Sequence, residues 1–188
     1  MMLGLPGDSA ADTVATGRSI LAMAPDIVRI YPAVVLAGSP LADWLATGRY
    51  APLSLDAAVA LTAQLYRLFV NKGIRVIRMG LQASAALNRD DTILAGPYHP
   101  AFGQLVMAKL FFDSVCRALG RTNTTPDTIS IAVNPRSMSN LRGQKNRNLD
   151  LLKRQFSTRG ISVLAEPALN ETLVVVNAGD PVSILNGA

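Results

Sequence analysis

An α/β fold is predicted by three features of this 188-residue chain. Short, β-branched apolar runs alternate with helical patterns. Glycine or proline stands at nearly every junction between them. The most polar, proline-broken stretch, Arg121 to Asp127, comes only after three such runs have passed. Alternation of this kind is what parallel strands need, because each crossover must carry the chain back to the starting edge of the sheet.

The elements follow in order. Met1 to Leu5 reads as an apolar strand running straight into the Gly4-Leu5-Pro6-Gly7 loop. Ser9-Ala10-Ala11-Asp12 has the spacing of a capping box, which starts a helix reaching about Met23. Ala24-Pro25-Asp26 breaks that helix. Ile27 to Val35, rich in β-branched residues, predicts a second strand buried on both faces. A short helix around Leu41 to Thr47 and a longer one from Leu55 to Asn71 come next, the latter stopped by Gly73. Ile74 to Leu81 predicts a third strand. Gln82 to Asp91 is irregular, Gly96 to Pro100 is loop, and Phe102 to Leu119 is helical. The polar linker then sets a domain boundary, with 1–120 before it and 121–188 after. The second domain reads as α+β: strand Thr128 to Val133, helical turns Ser137 to Leu141, a turn at Gly143-Gln144-Lys145, helix Asn146 to Gln155, and strands Ile161 to Leu164 and Thr172 to Val176.

Composition narrows the chemistry. The formal charge is +5, and seven cations lie between Arg136 and Arg159 against Asp150 alone. Charge of one sign on one element suits a phosphate-binding face, and equally a solvated helix. Cys116 is the only cysteine, so no internal disulfide and no cysteine-rich metal site is expected. Its apolar neighbours Phe111, Phe112, Val115 and Leu119 mark it as a small buried hydrophobe. His99, the only histidine, reads as a proton shuttle or as a structural donor within its proline-rich loop. No apolar run reaches the length of a membrane span and no signal-peptide layout is seen, so a cytoplasmic protein without membrane attachment is expected.

Three stretches in combination carry a family resemblance: Gly4-Leu5-Pro6-Gly7-Asp8-Ser9, Ile27 to Val35 with Gly38-Ser39-Pro40-Leu41, and Gly73-Ile74-Arg75-Val76-Ile77-Arg78-Met79-Gly80-Leu81-Gln82. The similarity continues through Ala95 to Gly103 and Val133 to Arg136. Together they resemble the late strands of radical S-adenosylmethionine (radical SAM) enzymes, nearest to the bacterial elongator-protein-three-like and oxygen-independent coproporphyrinogen-oxidase-like group. The resemblance implies the last βα units of a partial, TIM-like barrel. It also implies that a chain beginning in such a strand lacks the earlier strands, for which a complementary N-terminal chain is the expected partner. In full-length members a [4Fe-4S] cluster cleaves S-adenosylmethionine reductively. Their cluster-binding Cys-x3-Cys-x2-Cys motif is absent here, so the chain alone is expected to bind neither cofactor and to be catalytically silent.

By the same resemblance, Gly4, Leu5, Pro6, Gly7, Ile30, Tyr31 and Pro32 lie at the cofactor edge, with Arg78 and Gln82 pointing toward it, while Arg75 faces solvent. On the residues alone, Gly4 to Gly7 also reads as a plain turn, and Tyr31-Pro32 as a strand end with a core aromatic. The β-α-α-β run of the second domain, with Gly143-Gln144-Lys145-Asn146 between its helices, resembles a type II KH module, whose Gly-x-x-Gly turn clamps single-stranded nucleic acid. Asn146 replaces the second glycine. Arg142, Gly143, Lys145, Arg147 and Asn148 are the nucleic-acid-binding candidates. RNA, transfer RNA by the elongator-like kinship, is the expected partner. The alternatives are a non-enzymatic RNA-binding module and a remnant without function.

Overall fold

The computed structural model describes residues 1–82, 92–120 and 127–186. The expected irregular stretch after Gln82 and the expected linker up to Pro126 lie outside them, and with them the expected domain boundary. Two compact units, Met1–Gly103 and Gln104–Ala188, divide within the first turn of a long helix.

The first unit is built on three parallel strands that neighbour one another in chain order: β1 (Met2–Leu3), β2 (Ile27–Pro32) and β4 (Arg75–Met79). The connections are helical. The capping box at Ser9 is formed, with Asp12 accepting from the Ser9 amide at 3.1 Å and Ser9 Oγ accepting from the Asp12 amide at 3.2 Å, and it starts α1 (Ala10–Ala22). Between β2 and β4 run α2 (Pro40–Ala46) and α3 (Leu55–Val70), the latter capped by Ser54. Val28, Ile30 and Leu3 on the sheet, with Leu65 and Phe69 on α3, are fully or almost fully buried. Each such side chain contributes about 1.5–3 kcal/mol by leaving water.

Three expectations are corrected here. The second strand is not buried on both faces: along β2 Val28, Ile30 and Pro32 are buried, whereas Ile27 and Arg29 are exposed and Tyr31 is half-buried. The helices cover one face only. Nor does the strand run on to Val35, because Pro32 interrupts its donors. Val35–Leu36 forms a separate strand, β3, that pairs antiparallel with β5 (Ile93–Ala95), which is too short to show a strand pattern in the sequence. The opening strand is likewise shorter than expected, because Gly4 at φ +73° turns the chain out of it.

The second unit holds a four-stranded sheet in the order β7-β6-β8-β9. β6 (Thr128–Val133) runs parallel to β7 (Gly160–Ala165) and antiparallel to β8 (Leu173–Val176), and β9 (Val182–Ser183), absent from the sequence reading, completes the edge. The remaining helices are α4 (Phe102–Gly120), α5 (Met138–Arg142) and α6 (Arg147–Gln155). Ile129, Ile131 and Val133 of β6, with Phe111, Leu141 and Leu152, form its core.

Candidate functional site

Parallel pairing sends the carboxyl ends of β1, β2 and β4 to one edge, the edge at which α/β sheets generally take ligands. Gly4 to Gly7, Tyr31-Pro32 and Leu81-Gln82 all leave the sheet there. The glycine loop is braced from within. The Gly4 amide donates to Asp8 Oδ2 at 3.2 Å, and the same oxygen accepts from Thr13 Oγ1 at 2.7 Å. The Gly4 carbonyl accepts from the Tyr50 hydroxyl at 2.6 Å, and the Asp8 amide donates to the Leu5 carbonyl at 2.9 Å. A Cβ on Gly4 would meet the Leu53 side chain at 2.8 Å, whereas Leu5, Pro6 and Gly7 are exposed. The loop's polar backbone thus turns inward.

Along β2 the main chain belongs to the sheet. The Tyr31 amide donates to the Met1 carbonyl at 3.0 Å, and the Ile30 carbonyl accepts from the Gly80 amide at 2.9 Å. The Ile30 and Pro32 side chains are buried, while Tyr31 faces the uncovered side of the sheet. Arg78 lies on that side too, and its Nη1 donates to Gln82 Oε1 at 2.9 Å. Of the nine expected edge residues, the structure brings Arg78 and Gln82 together through this hydrogen bond, with Tyr31 on the same open face of the neighbouring strand. Arg75 is exposed. Sequence reasoning missed Arg29, placed beside Arg78, and Tyr50, the brace on Gly4; the register of a parallel sheet and a contact 46 residues apart leave no local pattern.

A hollow of about 570 Å³ lined by Leu21, Pro25, Asp26, Lys72 and Arg75 sits at the amino ends of β2 and β4, the edge opposite the one that carries ligands in such sheets. A shallower hollow of about 480 Å³, bordered by Met2, Leu5, Pro6, Gly7 and Ile20, flanks the glycine loop.

In the second unit the residues between α5 and α6 form a basic corner. Gly143 has φ +68°, and Lys145 and Asn146 follow in the left-handed region at φ +50° and +62°. Lys145, Asn146 and Arg147 are exposed and Arg142 is half-buried. Asn148 turns the other way. It is buried, and its Nδ2 donates to the carbonyls of Ala108 at 2.8 Å and Leu141 at 3.0 Å, so its amide fixes the corner from inside.

His99 accepts at Nδ1 from the Ala101 amide at 3.0 Å while its carbonyl accepts from the Phe102 amide, so it caps the start of α4. Cys116 is half-buried, and burial, reinforced by the nearby Asp113 carboxylate, pushes its thiol up to about 11. Among the described residues, no group of three or more His, Cys, Asp or Glu side chains is placed to hold a metal ion. No helix among them is long and apolar enough to cross a membrane.

Residues 25–111 match the family model of the radical SAM C-terminal domain. The matched stretch runs from just before β2 into α4, and it supports reading this part of the chain as a radical SAM C-terminal portion. No curated protein matches the chain.

Proposed function

We propose that the chain is the C-terminal portion of a radical SAM protein, in which the carboxyl edge of β1, β2 and β4 faces the cofactor. The single observation that carries this is the family match over residues 25–111, which includes the strands whose open face presents Tyr31, Arg78 and Gln82. Three parallel strands in chain order with helices on one side are what an arc of a TIM-like barrel requires, and the uncovered side corresponds to its interior. Similarity to the elongator-like and coproporphyrinogen-oxidase-like group, and transfer RNA as substrate, are the finer form of this reading.

The residues present do not fit the iron–sulfur cluster. Cluster irons are held by several thiolates, and here a single thiol with a raised pKa is available. S-adenosylmethionine is a different matter: Tyr31, Arg78 and Gln82 are of the types that orient a polar cofactor, with the Gly4–Gly7 loop beside them. On this reading the chain is catalytically silent by itself and takes its cluster from a complementary N-terminal portion. The test is to read the DNA upstream of the Met1 codon for a frame carrying Cys-x3-Cys-x2-Cys and to co-produce its product with this chain. A stable complex that releases 5′-deoxyadenosine under reducing conditions is expected. Absence of such a frame, or failure of its product to associate, would overturn the proposal.

A second reading, RNA binding by the KH-like corner, is supported by the exposed left-handed pair Lys145-Asn146 at the start of α6. Backbone held in a sparsely populated region tends to mark functional sites. Replacing Lys145 and Arg147 together by glutamate should abolish retention of single-stranded RNA at low salt, and undiminished retention would exclude this surface.

A further inference from the structure

We infer that the open face of the first sheet binds an oxyanion between Arg29 and Arg78, so that its ligand carries a phosphate or carboxylate group. Arg29 of β2 stands directly opposite Arg78 of β4 in the parallel register, next to a bulge that follows the Val28↔Val76 pair. Ile27 and Arg29, two residues apart on one strand, share a face, so their partners Arg75 and Arg78 share it too. The bulge at Ile77 is what brings the second arginine round. Without it, the alternation of β4 would have put Arg78 on the helix-covered side.

Like charges directly opposite one another weaken a sheet. Among the described residues, no carboxylate pairs with the side chains of Arg29, Arg75 or Arg78, and the one side-chain hydrogen bond given for this trio goes to Gln82, which steadies the Arg78 guanidinium without neutralising it. Adjacent strands are about 4.8 Å apart, so two guanidinium forks on neighbouring strands can converge on a single oxyanion, for which their planar geometry is suited. The half-buried Tyr31, next along the same face of β2, adds a hydroxyl donor.

The surroundings indicate the size of the ligand. Ile27, Ile77 and Met2, on or bordering this face, are 44%, 44% and 48% exposed. Cations set in an apolar surface suit a compact molecule with an anionic end and an apolar body better than a polyanion, which would need a longer basic track. This inference shares the open face, Tyr31, Arg78 and Gln82 with the radical SAM reading and goes beyond it by assigning the Arg29–Arg78 pair to an anionic group; the basic corner of the second unit plays no part in it.

The experiment uses the full chain with inorganic phosphate, succinate and sodium chloride at matched ionic strength, followed by thermal unfolding and calorimetric titration. Phosphate or succinate should raise the melting temperature beyond chloride. A response to phosphate alone assigns a phosphate ester, and a response to succinate alone assigns a carboxylate. Arg29→Gln and Arg78→Gln should each weaken the binding at least about tenfold. Each should also raise the melting temperature measured without the anion, because the like-charge pair is relieved. Arg29→Lys, which keeps the charge and loses the fork, should bind several-fold more weakly than the parent. The inference is overturned if neither anion exceeds chloride, if the response survives both glutamine variants, or if both variants melt lower than the parent in the absence of anion.

Discussion

The phenol of Tyr50 donates a 2.6 Å hydrogen bond to the carbonyl of Gly4, tying the segment that precedes α3 to the loop that follows β1. Because Tyr50 is buried, its ring also supplies packing, and the bond fixes the path of the loop at the carboxyl edge.

Tyr50→Phe keeps the ring and removes the donor, so it should cost about 1 kcal/mol in urea unfolding. Burial pushes the Tyr50 phenol above its ordinary value of 10.0, and the Tyr66 phenol likewise. The protonated forms are therefore favoured by folding. Their contribution is whole below pH about 10 and is lost as pH rises through the elevated folded values. The parent should lose stability in that alkaline range, and Tyr50→Phe should lose less. An identical alkaline slope in both proteins would show that Tyr50 does not titrate in the folded chain.

Gly80 closes β4 just before Gln82, and it does so at φ +80° with no room for a side chain. A Cβ there would lie 2.6 Å from the Cβ of Phe102, an atom fixed by the backbone of α4's first turn. Gly80→Ala combines left-handed strain with overpacking and should destabilise by about 3 kcal/mol. The amide of Gly80 also donates to Ile30, so the variant should disturb the β2–β4 pairing first. Amide exchange that accelerates at Ile74–Met79 ahead of the rest of the unit is the expected signature.

Local chemistry was legible in the sequence wherever it is written within one turn or one strand. The Ser9–Asp12 capping box, the helix beginning at Leu55 and the β-branched run of β6 all form close to where their residues indicate. Relations between distant segments were not. The uncovered face of β2 is invisible in Ile27-Val28-Arg29-Ile30-Tyr31, because such a run reads as doubly buried until the sheet's single layer of helices is known. The bulge that pairs Arg29 with Arg78 has no residue signature of its own. Asn148, read as a nucleic-acid candidate from its position after a turn, spends its amide on carbonyls up to 40 residues away.

Cys116 should behave as an inert thiol. With its pKa pushed up to about 11, the thiolate fraction at neutral pH is negligible, and only the thiolate is nucleophilic. Iodoacetamide at pH 7.5 should leave the folded chain unmodified and should label it fully in urea. Reactivity of the folded protein should climb as pH approaches the elevated value. Anaerobic reconstitution with iron and sulfide should give no stoichiometric cluster in the isolated chain, checked by iron analysis; four irons per chain would contradict the single-thiol argument.

Lys145 offers a way to separate conformational strain from charge at the α5–α6 corner. At φ +50° and ψ +35° it occupies the left-handed region, which costs an ordinary L-residue about 1–2 kcal/mol, and Asn146 beside it does the same at lower cost. Lys145→Gly relieves that strain, though it adds backbone freedom to the unfolded chain, so the net gain should be at most about 1 kcal/mol. Natural sequences that hold a strained cation at an exposed turn give up stability that glycine would restore, and a ligand for the cation is the simplest compensation. Lys145→Gly should therefore raise the melting temperature while weakening single-stranded RNA binding and lowering its salt dependence by about one counterion. Lys145→Asn keeps the left-handed preference without the charge and should weaken RNA binding equally. A glycine variant that binds RNA with the parent's affinity and the parent's salt slope would remove the corner from consideration as a nucleic-acid surface, leaving Lys145 as a solvated turn residue.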